Sequence, residues 1–306
     1  MSMKKAVQGA REVRSQIRKT LNRIGAIADK RVELISSKTR DNPKLNVYKD
    51  TATGVIFIED YYVGDAEYAG GEYRKQVDAI ALSGKRNYED IADSSRRLKS
   101  YLQFIAGKDI CDFGCGAGAF LKLAQPFAKS VFGIELQQDY AAGLNAFGIP
   151  CFQSMPDVKN TLGLITLFHC LEHLPNPTSV LNMLRLALKE NGDGVLVAEV
   201  PHARDFLIGN LHLQSFIDFT LWSQHLVLHT RDSLRLLLAD AGFKNIVIEG
   251  VQRYSLSNHF HWLRENKPGG HKSALSVLET PELAAAYEKA LAKIDATDTL
   301  VAVATT

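Results

Sequence analysis

Residues 108–121 read KDICDFGCGAGAFL. A short apolar run, Ile110, Cys111 and Phe113, meets Asp112, Gly114, Gly116 and Gly118, and apolar spacing resumes at Phe120, Leu121 and Leu123. The order is strand, glycine turn, helix. Glycine is needed where the chain reverses with positive φ or where a ligand touches the backbone, and glycines at alternate positions leave a floor without side chains. A flat cofactor can rest on such a floor. The next unit, SVFGIE at 130–135, is a second short apolar strand ending on Glu135, 21 residues after Gly114. A carboxylate at the tip of the second strand is placed to accept both hydroxyls of a ribose. The ligand is therefore expected to contain a nucleoside.

Two cofactor classes fit. Gly114-x-Gly116-x-x-Ala119 satisfies the loose dinucleotide fingerprint, which allows alanine at its third position. Asp112, two residues ahead of the first glycine, argues for the other class, because a carboxylate is repelled by a pyrophosphate and attracted by an ammonium and a sulfonium. D-x-G-x-G-x-G, from Asp112 to Gly118, resembles the first motif of the class I S-adenosylmethionine (SAM) methyltransferases. The resemblance implies that Asp112 lies near the methionine end of the cofactor and that Gly114, Cys115, Gly116 and Gly118 pack against its adenosyl part. It also implies that Glu135 and Leu136 sit at the ribose, Ser154 and Met155 at the adenine, and His169 beside the cofactor. Phe168 to Pro177, FHCLEHLPNP, is similar to the segment after the fourth strand of many small-molecule members, and a nicotinamide-binding fold is not expected to carry it.

The rest of the chain is consistent with that family. After Glu135 come a helix over 139–147, strands at 150–153 and 162–168, a helix over 178–189 and a fifth strand, GVLVAEV, at 194–200. A helix starts at Thr230, whose Thr-x-x-Ser offers a capping hydroxyl, and leads through Ala241-Gly242-Phe243 to a sixth strand at 246–249. TLVAVA at 299–304 is expected to return antiparallel between the fifth and sixth strands. Alternating strands and helices imply an α/β, doubly wound, seven-stranded Rossmann-like sheet with ligands at the carboxyl ends of its strands. Insertions are expected at 203–229 and 255–295, the second with an alanine-rich helix over 281–293.

Ahead of the cofactor domain at 88–306, residues 4–40 place Ala10, Val13, Ile17, Leu21, Ile24 and Ala28 at three- and four-residue steps among Arg and Lys, which predicts one long basic amphipathic helix. It would pack on its own domain, pair with another subunit or lie on an anionic membrane surface. Residues 46–87 follow, with a hairpin over 47–62 turning at Asp50 to Gly54 and a loop with Tyr62, Tyr68 and Tyr73 suited to a lid or substrate wall.

Composition narrows the function. With 306 residues, 46% apolar and 23% charged, the chain can bury a full core. No run is long and apolar enough to span a bilayer, and the N-terminus has no secretory apolar centre, so a cytoplasmic protein, at most peripheral to the membrane, is expected. The net charge of +2 divides into +8 over residues 1–44 and −6 over the rest. A net negative cofactor domain is wrong for phosphate, and no aromatic residue interrupts 1–47 to stack on a base, so no nucleic-acid partner is expected.

All nine histidines follow residue 168, in the half that the topology assigns to the substrate. Methyl transfer from a sulfonium is an in-line displacement in which the protein supplies orientation and, for a hydroxyl, a base. Candidates are His202 at the end of the fifth strand, His225 and His229, and His169 and His173 around Glu172. His259-x-His261 would share a strand face, yet H-E-x-x-H is absent and no three ligands are tightly spaced, so no metal is expected. The resemblance of the hairpin and of the EHLPNP, EVPH and NHFHWL segments to sugar-modifying members implies a glycan or polar small-molecule acceptor, as in cell-surface polysaccharide synthesis. A quinone-like or other lipid-linked acceptor and a SAM-binding scaffold without turnover remain as alternatives.

Overall fold

The computed structural model describes residues 15–71 and 88–306, and its strands fall into two sheets. In chain order they are β1 (Val32–Ser36), β2 (Val47–Asp50), β3 (Ile56–Ile58), β4 (Asp109–Phe113), β5 (Ser130–Ile134), β6 (Cys151–Phe152), β7 (Leu164–Phe168), β8 (Val195–Pro201), β9 (Val227–Leu228), β10 (Lys244–Val251) and β11 (Thr299–Thr305).

The large sheet runs β10-β11-β8-β7-β4-β5-β6. β11 is antiparallel to both β8 and β10, while β4 is parallel to β5 and β7, and β7 to β8. β7, LITLF, is buried at all five residues, as a central parallel strand with both faces covered must be. Period-two alternation sends Cys111, Ile165, Ala198 and Ala302 to one core, under the helices Pro177–Ala187 and Arg231–Asp240. It sends Ile110, Leu164, Val197 and Val301 to the other, under Tyr88–Ile105, Ala119–Ala124 and Gln138–Ala146. The helix Arg231–Asp240 shows why such segments dock: Leu234, Leu237, Leu238 and Ala241 form one buried stripe, and Thr230 and Ser233 close a reciprocal capping box at its start.

The small sheet, β1-β2-β3-β9, is antiparallel throughout. Its hairpin turn is built on Asp50, whose carboxylate accepts the N–H groups of Ala52 (3.0 Å), Thr53 (2.9 Å) and Ala28 (2.9 Å). The single helix expected over 4–40 does not form. Among the described residues the helix covers Ile17–Arg23, Gly25 leaves it at φ 74°, and Val32–Ser36 is strand β1. The helical spacing ends at Ala28, and beyond it Val-Glu-Leu-Ile favours the pleated pairing that β2 offers. Ile17 and Leu21 are buried with Val55, Phe57, Leu226 and Val227, in and beside this small sheet, so the helix's apolar side is spent within the chain. The stretch before residue 15, and the second half of the Tyr/Gly loop with Tyr73, lie outside the described residues. The insertion at 203–229 contains the helices Phe206–Gly209 and Gln214–Thr220 and strand β9, which ties it to β3. No described helix is long and apolar enough to cross a membrane.

Candidate active site

At the carboxyl end of β4 the chain turns through the glycines. Gly114 and Cys115 donate their N–H groups to Ile134 O of β5 (2.8 and 3.1 Å), which locks the loop to the neighbouring strand. Gly114 stands at φ 79°, and a Cβ there would lie 2.6 Å from Cys170 Sγ. Gly118 stands at φ 73°, where a Cβ would run into Leu144. The floor is thus backbone on its open side and close-packed beneath. Asp112 is 3% exposed and accepts from Thr166 Oγ1 (2.7 Å); burial pushes its carboxyl up to about 6. Glu135 accepts N–H groups from Gly116 (2.8 Å) and Gln137 (2.9 Å), one on each oxygen, and each oxygen keeps a lone pair for a further donor. Leu136 is half-buried beside it; Ser154 is exposed past β6, and Met155 is half-buried against the core. A side-chain-free floor between a buried acid and a carboxylate with spare lone pairs fits an adenosyl sulfonium.

The residues after β7 gather a second cluster of polar side chains. His169 has φ 53° and donates its N–H to Glu199 O of β8 (2.9 Å), so the strand ends in a bend that carries its ring to Glu172. Glu172 is fully buried; its Oε1 lies 3.4 Å from His169 Nδ1 and 4.0 Å from His173 Nε2. His173 Nδ1 donates to Gln224 O (2.8 Å), and Leu226 N–H donates to Glu172 O (2.9 Å), so the turn Leu171–His173 is stitched to the segment leading into β9. The rings of His173, Trp222 and His225 pack edge to face or tilted at 5.1–5.7 Å, and Tyr68 meets His173 at 6.1 Å. His225 Nδ1 is buried without a hydrogen-bond partner. Burial, together with Arg40, lowers the His225 imidazole to about 4, and burial with Arg253 and Arg97 nearby holds His169 well below its ordinary value. Both rings are neutral at physiological pH.

A charged frame joins the two ends. Glu199, in the middle of apolar β8, accepts from Arg96 (3.0 and 2.9 Å), Arg97 (2.9 Å) and Tyr101 (3.2 Å) of the helix Tyr88–Ile105. Burial alone would raise its pKa, but Arg97 and Arg96 hold the carboxyl at about 2. Arg97 also covers the Phe168 ring at 4.2 Å. Asp93 accepts from Arg253 Nε (2.9 Å), and Asp298 accepts the N–H groups of Arg253 (3.0 Å) and Tyr254 (2.9 Å). Next to these residues opens a groove of about 650 Å³ lined by Asp93, Arg253, Tyr254, Asn258, Glu279 and Thr280.

This frame does not follow from chain order or local spacing. The signal was present: a lone glutamate inside GVLVAEV must be paired once the strand is buried. Of the expected catalytic residues, Glu172, His173 and His225 meet, and His169 joins them. His202 does not. It is 1% exposed, its Nδ1 faces Thr297 O (2.9 Å) and its Nε2 faces Asp295 (3.8 Å), away from the Glu172 cluster. His229, beside it in a β-bridge, turns to Ser233 Oγ (3.0 Å). His225 and His229 stand on either side of strand β9 and do not share a helix. His259 and His261 sit on the helix Leu256–Glu265, not on a strand.

Residues 85–248, more than half of the chain, match the family model described as a methyltransferase domain. No curated protein matches the chain in sequence. Among solved structures, a SAM-dependent methyltransferase of Thermotoga maritima is similar at a TM-score of 0.50 with 14% identity, over 78% of this chain and 99% of that one. The phosphoethanolamine N-methyltransferase 2 of Haemonchus contortus, solved with S-adenosyl-L-methionine, is similar at 0.50 with 13% identity, over 82% of this chain and 62% of that one. At such identities the likeness is one of fold. The sheet order, the glycine floor and the family match define a SAM-dependent methyltransferase. The chain belongs to the methyltransferase-domain family, and its cofactor is S-adenosylmethionine.

Proposed function

We propose that the chain methylates a hydroxyl of a polar small molecule or glycan, a sugar unit of a cell-surface polysaccharide, with His169 as the base. The observation that carries this reading is the pairing of His169 with Glu172. A carboxylate 3.4 Å from Nδ1 favours the Nδ1–H tautomer and leaves the lone pair on Nε2, which is buried without a hydrogen-bond partner. The sulfonium of the cofactor supplies an electrophilic methyl group. Gly114, Gly116 and Gly118 seat the adenosyl part, Asp112 faces the positive end, and Glu135 takes the ribose hydroxyls. His169 Nε2 receives the acceptor's proton as the new bond forms, and the imidazolium is stabilised by Glu172. The sugar class is supported by the sequence resemblance and by the groove, whose Asp93, Asn258, Glu279 and Thr280 offer donors and acceptors beside the Tyr254 ring.

The test is S-adenosylhomocysteine release with a panel of nucleotide sugars and free glycans, alongside calorimetry for SAM. His169→Ala is expected to lower kcat by about 10²–10⁴ with the SAM affinity retained. Because its pKa is depressed, His169 stays deprotonated as pH falls below the ordinary imidazole range, so kcat holds there. SAM binding without turnover on any hydroxyl acceptor would leave the protein a SAM-binding scaffold.

A further inference from the structure

The spacing along the chain gives no three metal ligands, but the fold assembles them. Glu172, His173 and His225 each offer one ligand atom, and these atoms all lie within 4.8 Å of one another. We infer that Glu172, His173 and His225 form a site for one divalent first-row transition cation, set against the acceptor end of the methyl-transfer site.

Ligand atoms on a tetrahedral ion, with bonds near 2.1 Å, stand about 3.4 Å apart, so the three need only a small inward rotation of the rings. The ring orientations are those a cation requires. Gln224 O takes the proton of His173 Nδ1, which turns the Nε2 lone pair toward Glu172 at 4.0 Å. A backbone carbonyl in that role is the usual outer partner of a ligating histidine. His225 brings a ring nitrogen to the same cluster, and its buried Nδ1 has no hydrogen-bond partner. His169 Nδ1, 3.4 Å from Glu172 Oε1, stands where the outer partner of a ligating carboxylate is placed. Trp222 and Tyr68 pack on the imidazoles and fix the box. Two imidazoles and one carboxylate with open positions suit Mn²⁺, Fe²⁺, Co²⁺ or Zn²⁺ better than Ca²⁺, which wants an all-oxygen shell.

The role of the cation, though not its binding, rests on the methyl-transfer reading. An acceptor hydroxyl that ligates the ion is acidified as a Lewis acid acidifies water, and a neighbouring hydroxyl of the same sugar can fill a second open position. The substrate class narrows accordingly to vicinal diols. The hydroxyl proton passes to His169 Nε2, the acceptor oxygen bonds to the methyl carbon, and the sulfur–carbon bond breaks with its electron pair staying on sulfur. No other reactant is consumed.

The test uses the full chain stripped with a chelator and titrated with Co²⁺, read by visible absorption, with SAM binding measured on the same samples. One Co²⁺ per chain is expected, with the absorption of nitrogen-ligated cobalt. His225→Ala and His225→Gln should each weaken Co²⁺ by more than about tenfold while melting and SAM binding stay near wild type. Absence of the cobalt signature in the wild type, or equal Co²⁺ binding by both variants, overturns the site. Loss of SAM binding by the wild type would instead overturn the methyl-transfer reading and leave the Co²⁺ result to judge the site alone.

Discussion

Asp112 carries a cost that the proposed contact with the positive end of the cofactor would remove. It is buried beside Thr166 with its pKa raised to about 6, so above that pH the cofactor-free chain holds a charge that burial disfavours. An unfolded aspartate titrates near 4, and lowering the pH from 6 toward 4 therefore stabilises the cofactor-free protein, since the folded state takes up the proton first. SAM binding moves the other way: protonated Asp112 loses its attraction for the sulfonium and ammonium, so affinity falls as pH drops through 6. Opposite slopes in melting and in calorimetry over that window are the expected outcome. Asp112→Asn should raise the stability of the cofactor-free chain by up to about 3 kcal/mol at pH 7.5 and weaken SAM binding at every pH. Parallel slopes would place the cofactor's positive end elsewhere.

The helix Tyr88–Ile105 is held to the sheet by ionic contacts as well as apolar ones. Arg96, Arg97 and Tyr101 all donate to the fully buried Glu199. Breaking a buried pair from one side leaves charges without a partner, so Glu199→Gln is expected to cost about 3–5 kcal/mol in denaturant unfolding. With the native pKa near 2 against an ordinary glutamate value of 4.5, this contribution is complete above pH 4.5 and is lost as pH falls toward 2. Elements of this kind were unequally legible in the sequence. The glycine turn, the alternating helices and the return of TLVAVA between the fifth and sixth strands could be read because local spacing and chain order determine them. The ring of contacts at Glu172 could not, because Gln224 and His225 reach it across a long sequence separation. Strand β1 was hidden because Ile17, Leu21, Ile24 and Ala28 carry a helical rhythm up to its edge, and only β2 supplies its reason to be extended. His202 misled for the opposite reason: its place at the end of β8 is as expected, but Thr297 and Asp295 claim the ring.

In the molecule as a whole, the small sheet and the proposed catalytic residues are mechanically joined. β3 pairs with β9 through Ile56–Leu228 and Phe57–Val227, and His225 lies two residues before β9. Phe57 is buried with Ile17, Leu21 and Leu226. Phe57→Ala is expected to destabilise by about 3–5 kcal/mol and, in the folded fraction, to raise the acceptor KM more than it changes the SAM affinity. Equal effects on both would mean that the small sheet braces the fold without setting the acceptor end. The position of β11 has its own consequence. Thr299–Thr305 fills the space between β8 and β10, so during synthesis on the ribosome both of those strands wait with open backbone edges until the last strand of the sheet emerges. Over that interval the nascent chain presents two adhesive borders, and chaperone shielding until Thr299–Thr305 has left the ribosome should govern its yield.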